Sequence, residues 1–224
     1  MKIRQVMWGL VLISNFGMAD TASFFAETCG DCHALQAVSK DVKERISRKG
    51  SHLFYAGNKY RPQWLESWLQ APTQIRPGGA YPPDATLVTD EGDIILTNTL
   101  PKHLSLDADE AKKVTSHLMT LTPFSSLLEQ VDYQPKKISK SAGKMNFVKF
   151  QGCQSCHQNQ PDEGGLSGPE LYTAWHRLQQ KYIISYSQHP ELWDKNSMMP
   201  NRHIKEKALK KVANYLKIIG ESDE

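Results

Sequence analysis

Apolar residues return at helical spacing in several stretches of the chain. Val114, Leu118 and Leu121 fall on one stripe, and Val212, Leu216 and Ile219 repeat it near the end. Asp107 followed by Glu110 reads as an N-cap with its box partner, so the first stripe predicts a helix starting there. Phe24-Phe25-Ala26 marks a shorter apolar helix, and Met145, Phe147, Val148 and Phe150 after Gly143 mark another. Trp64 and Trp68 are four apart, as are Tyr182 and Tyr186, so each pair shares a helix face. Ile94-Ile95-Leu96-Thr97 can extend as a strand, but no region is strand-rich. Between Thr122 and Ser139 the periodicity lapses around Pro123 and Pro135, which predicts a linker. The predicted class is all-α.

The pattern is written twice. Gly50 set against Gly168, an offset of 168 − 50 = 118, aligns 23 residues without a gap. Gly50, Leu53, Ala56, Ser67, Gln70 and Pro72 then meet identical residues, while Lys59 meets Arg177, Trp64 meets Tyr182 and Trp68 meets Tyr186. The final helices match at a different offset. Lys112-Lys113-Val114 meets Lys210-Lys211-Val212, 210 − 112 = 98 residues on, so the first copy carries 118 − 98 = 20 extra residues. The expected organisation is a first domain at 20–122 with an insert at about 73–105, a linker at 123–140, a second domain at 141–220 and a solvated tail at 221–224. Arg76-Pro77-Gly78-Gly79 and Tyr81-Pro82-Pro83 make the insert turn-rich.

The first 19 residues read as an export signal. Lys2 and Arg4 precede a mainly apolar run, Val6 to Phe16, and Gly17-Met18-Ala19 offers the small residues of a cleavage site. The run is too short to span a bilayer, and no later segment is long enough, so no transmembrane segment is expected after cleavage. Removing Lys2 and Arg4 takes the formal charge from +3 to +1, which is no nucleic-acid footprint. Residues 20–122 hold 11 basic and 13 acidic side chains; residues 123–224 hold 14 and 11. The positive half suits an acidic partner, although a solvated face has the same composition.

All four cysteines lie in two short runs, Cys29-Gly30-Asp31-Cys32-His33 and Cys153-Gln154-Ser155-Cys156-His157. C-x-x-C-H is the attachment signature of c-type haem: the thiols form thioethers to the vinyl groups, and the adjacent imidazole is the proximal iron ligand. A redox C-x-x-C, a disulfide or half a zinc site uses the same cysteines, but none of these requires the following His. Two covalently bound haem c groups are therefore expected, with His33 and His157 proximal. Periplasmic localisation agrees with both the signal and the haem motifs.

Taken together these features resemble the class I cytochrome c family in a two-haem tandem form, over nearly all of residues 20–220. The second copy has each part of that pattern: C-x-x-C-H, Gly168-Pro169-Glu170-Leu171, the aromatic helix, Met199-Pro200 and a final helix ending near Gly220. The resemblance implies crossed N- and C-terminal helices and a Pro169 carbonyl accepting the other ring N–H of His157. It also implies a thioether distal ligand, Met199 with Met198 as alternative; His189 and His203 are rivals read as surface residues. Trp64, Trp68, Tyr182 and Tyr186 would line the haem environment.

The first copy departs from the family. Gly50-Ser51-His52-Leu53 replaces Gly-Pro-x-Leu, and there is no Met-Pro. Two alignments name different substitutes for the distal ligand, Tyr81 counting forward from Pro72 and His103 counting back from the final helix. Imidazole is the commoner ligand, so His103 is the expectation, Tyr81 the alternative and an open site a third possibility. His52 reads as a loop residue beside the haem and His117 as a helix-surface residue.

The function this predicts is one-electron transfer between a redox donor and a redox acceptor, with no catalytic residue. A haem enzyme, a peroxidase or small-molecule oxidoreductase with a displaceable ligand at the first haem, is the alternative. A subunit of a larger oxidoreductase complex, docking through the insert, is another.

Overall fold

The computed structural model describes residues 16–221. The expected export signal at 1–19 lies outside the described residues up to position 15, as do the last three residues of the tail. The first half runs α1 (Phe16–Cys29), α2 (Val42–Ser47), α3 (Ala56–Lys59) and α4 (Pro62–Gln70), then a hairpin of β1 (Thr86–Thr89) and β2 (Gly92–Ile95), then α5 (Ala108–Met119). After α6 (Ser125–Glu129), α7 (Lys140–Met145) continues as a π-helical turn over Asn146–Phe150. A minimal pair, β3 (Gln158–Gln160) and β4 (Glu163–Gly164), precedes α8 (Ala174–Arg177), α9 (Gln180–Gln188), α10 (Pro190–Trp193) and α11 (Glu206–Gly220). The described chain is mostly helical, with two small antiparallel hairpins as its only sheets.

Local chemistry explains the boundaries. Asp107 accepts from the Glu110 amide at 2.8 Å and Glu110 accepts from the Asp107 amide at 3.1 Å, the reciprocal box that starts α5. Asp41 and Ser139 cap α2 and α7 without the return bond, accepting from the Glu44 and Ala142 amides, and Pro62 opens α4 where a missing N–H costs nothing. In the insert, Ile94 and Ile95 lie in β2, while Leu96 and Thr97 leave the strand. The partner strand, Thr86-Leu87-Val88-Thr89, carries the β-branched signature but was not expected. Leu87, Val88 and Ile94 of this hairpin are exposed.

The repeat is visible in the backbone. Tyr60 N bonds Ala56 O and Leu178 N bonds Ala174 O; Leu65 N bonds Arg61 O and Ile183 N bonds Gln179 O; Ala71 N bonds Ser67 O and His189 N bonds Ser185 O. Each pair is separated by the same 118 positions. The two copies also meet through corresponding residues. Tyr60 and Leu178 form an antiparallel bridge, with Arg61 N on Arg177 O at 3.0 Å and Gln179 N on Lys59 O at 2.9 Å. Those two bonds exchange under the repeat, so the contact has local two-fold character.

Residues 123–140 connect the halves, but not as a solvated tether. Val131 and Tyr133 are buried, Phe124 packs on Trp193 and Tyr55, and the Leu127 carbonyl accepts from Ser185 Oγ. Most of the expected linker is exposed, but Val131 and Tyr133 enter the core and Phe124 packs between residues of both halves. His117 likewise differs from its surface reading: it is half-buried, with its ring 4.9 Å from that of Phe25 where α1 meets α5.

The second helix crossing needs a glycine. A Cβ on Gly143 would lie 2.8 Å from two side-chain carbons of Tyr215, itself fully buried on α11. Gly143→Leu is therefore expected to destabilise the fold by about 1–3 kcal/mol through overpacking. Chemical denaturation checks this, and an unchanged midpoint would mean that α7 does not bear on Tyr215 as described.

Candidate functional site

Both C-x-x-C-H runs fold into the same turn. In the first, the Cys32 and His33 amides bond the Cys29 carbonyl at 3.3 and 3.0 Å; in the second, Cys156 and His157 bond Cys153 at 3.2 and 3.1 Å. This turn puts each imidazole beside its pair of thiols. A returning loop then closes on the ring. Gly50 N bonds Cys32 O at 2.8 Å and Gly168 N bonds Cys156 O at 2.7 Å, and a Cβ on either glycine would fall 2.4 Å from the imidazole Cε1 of His33 or His157. Glycine is required at both positions by this close approach, not by φ.

One residue further on, the loop fixes each ring. His33 Nδ1 donates to the Ser51 carbonyl at 2.7 Å, and His157 Nδ1 donates to the Pro169 carbonyl at 2.7 Å. A carbonyl only accepts, so Nδ1 carries the proton and Nε2 keeps its lone pair. Loss of the proline in the first copy therefore does not remove the support of His33, because the acceptor is main chain and Ser51 supplies it equally well. Burial also holds both imidazoles below their ordinary pKa, which favours the neutral form a metal requires.

A cavity of about 970 Å³ lies between the two halves and reaches both His33 and His157. It matches the upper end of the ~300–1,000 Å³ typical of ligand pockets. Trp64, Trp68, Tyr182 and Tyr186 all line it, as the paired helix faces predicted. Tyr60, Trp64 and Trp68 stack in sequence at 5.8 and 5.6 Å, and Trp68 leads to His103 at 4.6 Å.

The distal candidates separate clearly. His103 lines the cavity with its ring centre 6.1 Å from that of His33, and its Nδ1 donates to the Leu104 carbonyl at 2.8 Å. Tyr81 does not line the cavity; its carbonyl starts the turn at Pro82–Ala85. Met198 and Met199 both reach the cavity, Met198 being 49% exposed and Met199 half-buried. His189 and His203 are exposed outside it, His189 beside Glu191. His52 is 3% exposed and lines the wall.

The thiols are of the unreactive kind. Burial pushes Cys29 and Cys153 up to about 11, and none of the four cysteines is in a disulfide. A redox C-x-x-C depends on the opposite shift. Among the described residues no three or more His, Cys, Asp or Glu side chains are grouped to hold a metal ion. His33 and His103 face each other, while His157, Met198 and Met199 line the same cavity.

An ionic cluster on the cavity wall has no counterpart in the sequence pattern. Arg45, Arg48 and His52 of the first half surround Asp194 of the second, at 3.6, 3.8 and 3.5 Å. Burial, then neighbouring arginines, lowers Arg45, and the same causes hold Arg48 down at about 10. In sequence a basic run reads as a solvated face, and a partner some 150 positions away leaves no local signal.

No family model, curated protein or solved structure matches the chain.

His52 gives the cluster a pH signature. Its Nε2 accepts from the Ser39 amide at 3.3 Å, and burial, then Arg48 and Arg45, pushes its pKa from 6.5 to about 3. Above pH 6.5 the folded and unfolded states both hold it neutral. Below that, the unfolded chain takes up a proton that the folded chain refuses. Stability is thus expected to fall through this residue as the pH drops from roughly 6.5 towards 3. Denaturation of the protein and of His52→Gln across this range checks it, the variant showing the shallower slope.

Proposed function

We propose that the chain is a dihaem c-type cytochrome that carries electrons between redox proteins, acting in the periplasm after export. The observation that carries this reading is the duplicated proximal arrangement: two C-x-x-C-H turns, each with its imidazole fixed from Nδ1 by a loop carbonyl, facing one shared cavity. The mostly helical fold is compatible with it, and among the described residues no helix is long and apolar enough to cross a membrane.

The residues fit the group. Two imidazoles on one metal, each bonded at about 2 Å, have ring centres about 6 Å apart; His33 and His103 stand at 6.1 Å. Both rings have Nδ1 on a carbonyl, which leaves the two Nε2 atoms for the iron and makes each a more basic ligand. In the second half, the half-buried Met199 suits the distal position better than the exposed Met198. Cys29, Cys32, Cys153 and Cys156 would hold the two groups by thioethers, the thiols of the half-buried Cys29 and Cys153 being kept protonated at rest.

When bound, each haem supplies a one-electron ferric/ferrous couple. His33, His103, His157 and Met199 would hold the iron, and the aromatic and aliphatic side chains that line the cavity would surround the groups. A Met ligand raises the potential relative to His. Electrons would therefore enter at residues 20–122 and leave through residues 141–220. One observation keeps the enzymatic reading alive as an alternative: His103 is exposed, so it is the ligand most easily displaced by a small molecule.

Mass spectrometry of the exported protein is expected to find two covalent haems per chain, and finding none would end this reading. His103→Ala should open the first haem to CO and cyanide while the second keeps its spectrum. An unchanged six-coordinate first haem would exclude His103 as its ligand. Rapid binding of CO, cyanide or peroxide by the unaltered protein would favour the enzyme.

A redox titration resolving the two centres is expected to place the first haem below the second. The reverse order would contradict the proposed direction.

A further inference from the structure

The loop carrying Met199 begins at Asp194 and is not built by the second half alone. Asp194 is 4% exposed. Its Oδ1 accepts from the Asn196 amide at 3.0 Å, and its main-chain carbonyl accepts from the Ser197 amide at 2.8 Å. Ser197 Oγ in turn accepts from the Met199 amide at 3.2 Å and bonds the Tyr186 hydroxyl at 2.9 Å. A short relay of hydrogen bonds thus runs from Asp194 to the methionine.

The other oxygen of Asp194 faces the opposite half. Oδ2 lies 3.6 Å from Arg45 Nε, 3.8 Å from Arg48 Nη2 and 3.5 Å from His52 Nδ1. His52 accepts from Ser39 N through Nε2, so its proton sits on Nδ1, toward Asp194. Asn196 adds a neutral tie, its Nδ2 donating to the Ser39 carbonyl at 2.7 Å. Immediately before the cluster, Trp193 is fully buried against Tyr55, Phe124 and Tyr182. That anchor is independent of charge. Loss of the cluster would leave the segment that holds the sulfur fixed at Trp193 and tied beyond it by the Asn196–Ser39 and Ser197–Tyr186 bonds, without the charges that orient Asp194.

We propose that Asp194 is a positioning residue through which the first half, by Arg45, Arg48 and His52, sets the Met199 ligation of the second haem. This rests on the reading of Met199 as the distal ligand. The carboxylate has two jobs on separate oxygens: Oδ1 shapes the turn and Oδ2 locks it to the other half. The two guanidinium contacts are longer than hydrogen bonds, so the tie is electrostatic, and removing either side leaves the other buried charge without compensation.

The test uses the full-length protein with both haems bound. Asp194→Asn keeps an oxygen for the Asn196 amide but removes the charge. It is expected to abolish the Met–iron charge-transfer band of the ferric protein, lower the potential of the second haem and let CO bind there, while the first-haem spectrum persists. Arg45→Gln combined with Arg48→Gln, far away in sequence, should give the same loss at the second haem. Asp194→Glu should restore the band. Retention of the band and the potential in either the Asn variant or the double Gln variant overturns the proposal. Absence of the band from the unaltered protein overturns the Met199 assignment itself, a failure distinguishable by the presence of two attached haems.

Discussion

Two hydrogen bonds set the geometry of the whole interior, those from Nδ1 of His33 and His157 to the carbonyls of Ser51 and Pro169. Each bond requires a loop to return within reach of the ring. Each return requires a glycine, because a side chain at Gly50 or Gly168 would occupy the imidazole's place. With the rings held, Nε2 points into the space between the halves, and the aromatic faces of α4 and α9 close around it. The single bond fixes tautomer, orientation and basicity at once, so the rest of the site is arranged around two predetermined points.

What was legible in the sequence was what repeats or what has a short-range cause. The Asp107–Glu110 box, the paired aromatics and the 118-residue offset are local patterns, and the structure reproduces each as a cap, a helix face and a matching set of backbone bonds. His103 was ambiguous because the insert shifts the alignment on either side of it; only the fold brings it opposite His33 and leaves Tyr81 outside. The partial burial of the linker was not legible for a different reason. Pro123 and Pro135 report backbone restriction, not exposure, and burial of Val131 and Tyr133 depends on surfaces supplied from both halves. The Asp194 cluster was invisible because electrostatic partners share space and not sequence.

The asymmetry of the two halves has a common physical thread. The first copy dispenses with proline beside His33 because a serine carbonyl is as good an acceptor, and it sets the His103 imidazole opposite His33. Its extra residues bring that imidazole from the end of the insert, braced against Trp68. The second copy keeps its shorter loop but relies on the first for the charges around Asp194. The second copy's site is therefore not made entirely from its own residues.

The bridge between Tyr60 and Leu178 bears on how such divergence arises. A contact made by corresponding residues of two copies is the contact that separate, identical chains would use to form a symmetric dimer. In such a dimer every substitution appears on both sides, so a serine for a proline, an insert or an unmatched carboxylate would have to be tolerated twice. Covalent fusion removes that condition. It also replaces a concentration-dependent association with an intramolecular one, and each side of an inherited two-fold contact becomes free to specialise while the contact itself is preserved.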